Sequence, residues 1–324
     1  MTVSRCYTAA LMADITLKTV TGNHGAAQAL KDGSAGCEGF ALEFEEVPVL
    51  VQAFRRMVRG LEFDVTEMAF TTYLCARAHG KPFTALPVFL VRGFHHGAIV
   101  RGAAGATEPR ELEGRRAGVN RGYTVTTGVW ARGILADEHG VDLSRVTWVL
   151  SGDEHVAEYR PPSNVVPIEP GGDLADMVAT GQLAAGVGIT GGRDGLEPLI
   201  PDAGQAALDA LRRGFYPINH LVVVRDDLLA AQPGLAAALF RAFAEAKRPY
   251  LDRLSAGAID QPEREDGTYR QVLEITGADP LPYGIAPNRA MIERLIEYAV
   301  SQRILDRAPA VESLFADGSH ELTG

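Results

Sequence analysis

A chain of 324 residues, 46% of them hydrophobic and 22% charged, has an ordinary globular composition and exceeds the length at which one core keeps growing, so two lobes with a crevice between them are expected. The formal charge of −10 argues against a nucleic-acid surface while leaving room for an anionic ligand held by a few local cations. Cys6, Cys37 and Cys75 lie far apart, in neither C-x-x-C nor zinc-ligand spacing, which points to a reduced compartment.

The opening MTVSRCYTAALMAD has an apolar stretch interrupted by Asp14, poor material for a secretory signal, so a cytoplasmic location is expected. No apolar run approaches the roughly 18 residues of a membrane helix. Alternation predicts strands over 15–20 (ITLKTV) and 40–45 (FALEFE), with an Ala-rich helical stretch between. Pro48 opens a helix with Val51, Phe54 and Val58 on its apolar face, and Gly60 is expected to end it. A short strand follows over 63–65, then Thr66 and Glu67, a helix through Tyr73 and Leu74 to Gly80, and a buried strand over 83–90.

A second unit is expected from about residue 99. It contains a strand within EGRRAGV at 113–119, the loop NRGYT, and a helix carrying Trp130 and Ile134. Strands over 147–150 and 183–189 flank a helix over 173–180, and the Pro- and Gly-rich stretch 160–172 is read as a loop. The strongly apolar strand 220–224 and a long helix bearing Leu239, Phe243, Tyr250 and Leu254 then return to the first lobe. The predicted fold is α/β and two-lobed, of the periplasmic-binding-protein-like kind, with residues 1–98 and 218–324 forming one lobe and 99–217 the other.

Candidate functional residues gather where the first lobe hands over to the second. Arg92, His95 and His96 in VRGFHHGAIV are expected to overhang the cleft, Arg92 to pair with a carboxylate and a histidine to donate a proton. A hinge histidine bonded to backbone is the plainer alternative. Adjacent histidines on a strand point in opposite directions, so no metal site is assigned. Glu67 reads either as an acid at a helix start or as a catalytic base, and Thr71 as a cap or a ligand contact. Arg121 stands beside Thr124 and Thr126 at a helix start whose free N–H groups would favour an anion. His220, where the chain returns, could face His95 and His96, and His24 in GNHG follows the first strand, a usual place for ligand contacts. No dinucleotide fingerprint, Walker loop or nucleophile elbow occurs, and GITGG at 188–192 reads as a cleft-lining turn.

The ordered set FDVTEMAFTTYL, PVFLVRGFHH, GVWARGILADEHGV, YPINHLVVVRDDL and LPYGIAPNRAMIERLI resembles the 4,5-dihydroxyphthalate decarboxylase family from about residue 50 to 315. The resemblance implies a type II periplasmic-binding-protein-like fold and places Glu67, Arg92, His95, His96 and His220 in the cleft. NRGYTVTT and LAAGVGITGG depart from the family's pattern, which bears on the substrate.

The implied activity is removal of CO2 from a hydroxylated aromatic dicarboxylate such as 4,5-dihydroxyphthalate. Arg92 and Arg121 would hold the retained carboxylate, Glu67 would serve as base for the phenol, and His96 or His220 as acid for the ring carbon. His95, Thr71, Thr126 and His24 would contact substrate. No cofactor or metal is called for, the partner is a small aromatic carboxylate rather than nucleic acid or membrane, and assembly into a homo-oligomer stays open. The rival is a non-catalytic binding protein for a small aromatic carboxylate. A third reading, drawn from pyrimidine-synthesis relatives, is an enzyme that consumes its own histidine.

Overall fold

The computed structural model describes residues 15–189 and 195–324. The expected opening segment and most of the GITGG turn lie outside these residues. Two sheets divide the molecule. The first has the order β2-β1-β3-β11-β4 and contains β1 (Ile15–Val20), β2 (Phe40–Phe44), β3 (Val65–Ala69), β4 (Phe83–Arg92) and β11 (Ile218–Arg225). The second has the order β10-β5-β9-β6-β7-β8 and contains β5 (Ile99–Arg101), β6 (Arg116–Val119), β7 (Thr147–Leu150), β8 (Val165–Pro167), β9 (Gly186–Val187) and β10 (Glu197–Pro198).

The helices follow in chain order as α1 (Gln28–Lys31), α2 (Leu50–Gly60), α3 (Phe70–Ala78), α4 (Thr126–His139), α5 (Leu174–Ala179), α6 (Ala203–Arg212), α7 (Asp226–Ala231), α8 (Leu235–Ser255), α9 (Arg264–Thr276) and α10 (Arg289–Ser301). The β1, β2 and β3 pairings are parallel, whereas β11 runs antiparallel between β3 and β4. The late strand therefore sits inside the first sheet, and the chain crosses between the sheets twice.

Several boundaries differ from the sequence expectation for identifiable reasons. The strand expected at 63–65 is β3 at Val65–Ala69, and every residue of it is buried. Glu67 thus lies within a central strand instead of heading a helix; its acidity hid the strand from a hydrophobic pattern. Likewise β4 continues through Arg92. Gly60 closes α2, but the left-handed residue beyond it is Leu61, at φ 50°, so the conformation usually reserved for glycine falls on a leucine. The loop read over 160–172 contains β8, paired parallel to β7. The Ala-rich stretch yields only a 3-10 turn and the single turn of α1.

The lobes touch through the starts of α3 and α4. The Thr71 hydroxyl donates to the Thr124 carbonyl (2.6 Å) and lies 2.9 Å from Thr126 Oγ1, which also accepts from the Thr71 N–H (3.1 Å). On α2, Arg55 and Arg59 pair with Asp153 (2.7 and 3.1 Å), and Arg59 also donates to the carbonyls of Glu154 and His155. Trp130 of α4, fully buried, donates to the Ile218 carbonyl (2.9 Å), tying the second lobe to the returning strand.

Candidate functional site

β3 and β11 build the centre of the site by register. Val222 faces Glu67, and His220 faces Ala69, so His220 lies on the same sheet face as Glu67, one diagonal step along, within reach across an antiparallel pair. On the other side of β3, the chain leaving β1 brings Gly22 and His24 beside the same carboxylate. A Cβ on Gly22 would stand 2.5 Å from His24 Nε2, so only glycine lets the ring lie there.

Three segments thus converge on one buried acid. His220 Nδ1 is 2.6 Å from Glu67 Oε1, His24 Nε2 is 2.9 Å from both carboxylate oxygens, and the Gly22 N–H donates to Oε2 at 2.7 Å. An ionised carboxylate only accepts, so both facing imidazole nitrogens carry protons. Burial works against charge on Glu67, but the His24 charge and the hydrogen bonds from His220 and His24 outweigh it and hold the carboxyl well below the usual carboxylate range. Burial also opposes charge on His24, yet Glu67, with Glu265 lying 3.5 Å from Nδ1, pushes its pKa up to about 10. His24 is the cation of the pair.

Glu67 is fully buried and both its oxygens are occupied, so it cannot take a phenol proton directly, contrary to the sequence expectation. His220 is different. Its side chain keeps 24% exposure, and the bond to Glu67 uses Nδ1, leaving Nε2 without a protein hydrogen bond among the described residues. The Phe54 ring packs edge-on against His220 with centroids 5.2 Å apart, and His155 packs on Phe54 in turn. His155 was not anticipated. It is buried, its Nδ1 has no hydrogen-bond partner among the described residues, and burial together with the charges of Arg55 and Arg121 lowers its pKa to about 4.

A cleft of about 440 Å³ lies between β4, the start of α4 and the start of α9; neither Glu67 nor His220 lines it, and it meets the cluster through Asn219, the chain neighbour of His220, and Glu265, which contacts His24. Arg92, His95, Asn120, Arg121, Asn219 and Arg264 are among its walls. Glu265 also lines it and a smaller adjoining hollow of about 170 Å³ that contains His24. Arg121 and Arg264 are exposed and make no salt bridge among the described residues, so they are available cations. Arg92 is more committed. Its terminal nitrogens donate to Asn288 Oδ1 (2.7 Å) and to the Tyr216 carbonyl, its guanidinium lies over the Tyr216 ring, and burial draws its pKa down to about 10.

Of the two adjacent histidines, only His95 reaches the cleft. It shares a hydrogen bond with Asn219 Oδ1 (2.8 Å), and burial lowers its pKa to about 4, leaving it neutral. His96 is fully buried, with Nε2 3.2 Å from Glu138 of α4 and its ring edge-on to Phe215. Its expected overhang is therefore corrected: the 3-10 turn begun at His96 swings that ring behind the cleft. Thr71 and Thr126 bond each other instead of a ligand.

The anion expected at the start of α4 is part of the protein. Glu154 accepts from the Tyr123 N–H (2.5 Å), the Thr124 N–H (3.2 Å) and the Thr124 hydroxyl (2.6 Å). The loop chemistry was legible in NRGYT, but its partner lies 30 residues away. Arg264, Glu265 and Glu154 escaped the sequence reading because each sits in a polar segment that looks like solvated surface.

No family model matches the chain. The chain is similar to solved structures at 10–14% identity, a level that bears on fold alone. The Candida albicans CA3427 gene product, of the generic periplasmic binding protein fold, superposes with a TM-score of 0.54 at 14% identity, covering 91% of this chain and 92% of that one. The periplasmic aliphatic sulphonate binding protein SsuA from Escherichia coli gives 0.50 at 10% identity, covering 93% and 97%. Among curated proteins, the 4,5-dihydroxyphthalate decarboxylase of Comamonas testosteroni is 29% identical over 333 residues, covering 96% of this chain and 99% of the relative. That of Pseudomonas putida is 31% identical over 191 residues, 55% of this chain and 72% of the relative. With the two-lobed fold and these relatives together, the chain belongs to the 4,5-dihydroxyphthalate decarboxylase family.

Proposed function

We propose that this protein is an enzyme, a carboxy-lyase that removes CO2 from a hydroxylated aromatic dicarboxylate such as 4,5-dihydroxyphthalate. The observation that carries the proposal is His220 held by a buried, ionised Glu67 and adjoining Asn219, which lines a cleft with two arginines that make no salt bridge among the described residues. In such a substrate each carboxylate lies para to a phenol, so the phenol oxygen can feed electrons to the carbon that must be protonated. That carbon takes a proton, the C–C bond to the carboxylate breaks, its electron pair restores the aromatic ring, and CO2 leaves. One proton is consumed and one carboxylate remains, giving 3,4-dihydroxybenzoate.

Arg121 and Arg264 supply the positive charge for the retained carboxylate. His220 Nε2 gives the proton. Glu67 holds the ring in one tautomer and stabilises the imidazolium, as a carboxylate behind a histidine does in general acid catalysis. Glu265, on the cleft wall, takes the base role first assigned to Glu67 and holds the phenol proton during ring protonation. His95, neutral and fixed by Asn219, contributes a hydrogen bond to the ligand. No cofactor enters this scheme, and no helix among the described residues is long and apolar enough to cross a membrane. A cytoplasmic location belongs to the proposal, and cell fractionation tests it.

The test is CO2 release from purified protein given 4,5-dihydroxyphthalate, with chromatography of the product. Stoichiometric CO2 and 3,4-dihydroxybenzoate are expected. Saturable binding without turnover would make the protein a solute-binding protein instead, and neither binding nor turnover would reject the ligand class.

A further inference from the structure

His24, Glu67 and His220 offer two imidazole nitrogens and a carboxylate whose ligand atoms all lie within 4.8 Å of one another. We propose that this cluster is also a binding site for one divalent transition-metal ion of the zinc and cobalt class, and that loading it switches off proton transfer by His220. Two histidines and one carboxylate are a common ligand set for such ions.

The geometry carries the ligand set. Each imidazole nitrogen already stands 2.6 to 2.9 Å from a Glu67 oxygen. Tetrahedral metal–nitrogen bonds of about 2.0–2.1 Å require ligand atoms separated by about 3.3 Å, so each imidazole nitrogen would move from its Glu67 oxygen by about half an ångström to somewhat under one. Outer support is in place. The Gly22 N–H orients Glu67 Oε2, and Glu265 lies 3.5 Å from the far nitrogen of His24, the carboxylate–imidazole arrangement that fixes metal-binding histidines. Side-chain exposures of 15% for His24 and 24% for His220 leave an open side for the ion's entry and for a remaining water.

The inhibitory half rests on the decarboxylase reading. An ion at the cluster takes the lone pairs that otherwise bear the shared protons. With His220 Nδ1 bound to metal, Nε2–H belongs to a neutral imidazole, which could protonate a ring carbon only by becoming an imidazolate. The loaded site therefore has no acid of the required strength, whereas the metal-free site does.

Chelator-treated protein titrated with Co2+, followed by its visible absorption bands and then displaced by Zn2+, tests the site without reference to turnover. The expected result is one ion per chain, with affinity lowered about tenfold or more in both His24→Ala and His220→Ala, each checked for folding by circular dichroism. Absence of stoichiometric uptake, or uptake indifferent to both substitutions, overturns the site. In a parallel assay turnover should fall in proportion to loading. A rise with loading would overturn the inhibitory half. Metal-free protein that binds Co2+ at the cluster but never releases CO2 would sink the decarboxylase reading and leave the metal site standing.

Discussion

The two walls of the cleft are built differently. The first lobe presents its chemistry from the middle of a sheet: Glu67 and His220 come from neighbouring antiparallel strands, and their separation is set by ladder register. The second lobe presents a helix start and loops, and the carboxylate there, Glu154, is already spent on the N–H groups of Tyr123 and Thr124. A site on strands keeps its geometry when the lobes move, whereas one on loops can be re-formed by contact. Glu67 and His220 accordingly sit on sheet strands, and Arg121 and Asp153 sit on loops of the second lobe.

Breaking the pair on the strands should give the largest effects. His220→Ala is expected to lower turnover by about 10²–10⁴-fold, the usual worth of a general acid, with a much smaller change in substrate affinity by calorimetry; equal losses in both would make His220 a binding residue. Glu67→Leu leaves two polar imidazoles around a lost buried charge. Denaturant unfolding should show a cost of about 3–5 kcal/mol, as when one member of a buried pair is removed.

The cleft floor adds a pH dependence. His95 is buried with a pKa near 4 in place of 6.5. The unfolded chain therefore takes up a proton below pH 6.5 that the folded state refuses until about pH 4. Stability present above pH 6.5 falls as the pH is lowered across that window, by about 3 kcal/mol for this one group. His95→Gln should flatten the decline in urea midpoints measured from pH 7 to pH 4.5, and an unchanged slope would count against it. The smallest effect concerns the contact between the lobes. Thr126→Val removes the hydroxyl that meets Thr71, which should cost about 1 kcal/mol and enlarge the radius of gyration seen by X-ray scattering without ligand. No enlargement would mean that the arginine contacts to Asp153 suffice to hold the lobes together.

Local pattern went far with the fold. Alternation found β1 and β2, and the strongly apolar run over 220–224 announced β11. The failures share a cause: Glu67 and Arg92 are charged residues inside buried strands, and a hydrophobic pattern stops at a charge because burying one is costly unless partners compensate. At Glu67 those partners are His24, His220 and the Gly22 N–H. Reading the acid as a strand residue would have required knowing them in advance. His95 and His96 show a complementary limit, since two identical neighbours in sequence carry no sign of which ring faces the cleft.

By itself the sequence determined the alternating α/β order, the double crossing between lobes and the short set of polar residues from which a site had to be drawn, because hydrophobic periodicity and turn residues act over a few positions. Tertiary structure decided which of them work together. It joined His24 after β1, Glu67 within β3 and His220 within β11, moved His96 behind the cleft, spent Thr71 and Thr126 on each other and filled the start of α4 with Glu154. Those outcomes depend on sheet register and on partners 30 to 153 residues apart, and no local signal carries that information.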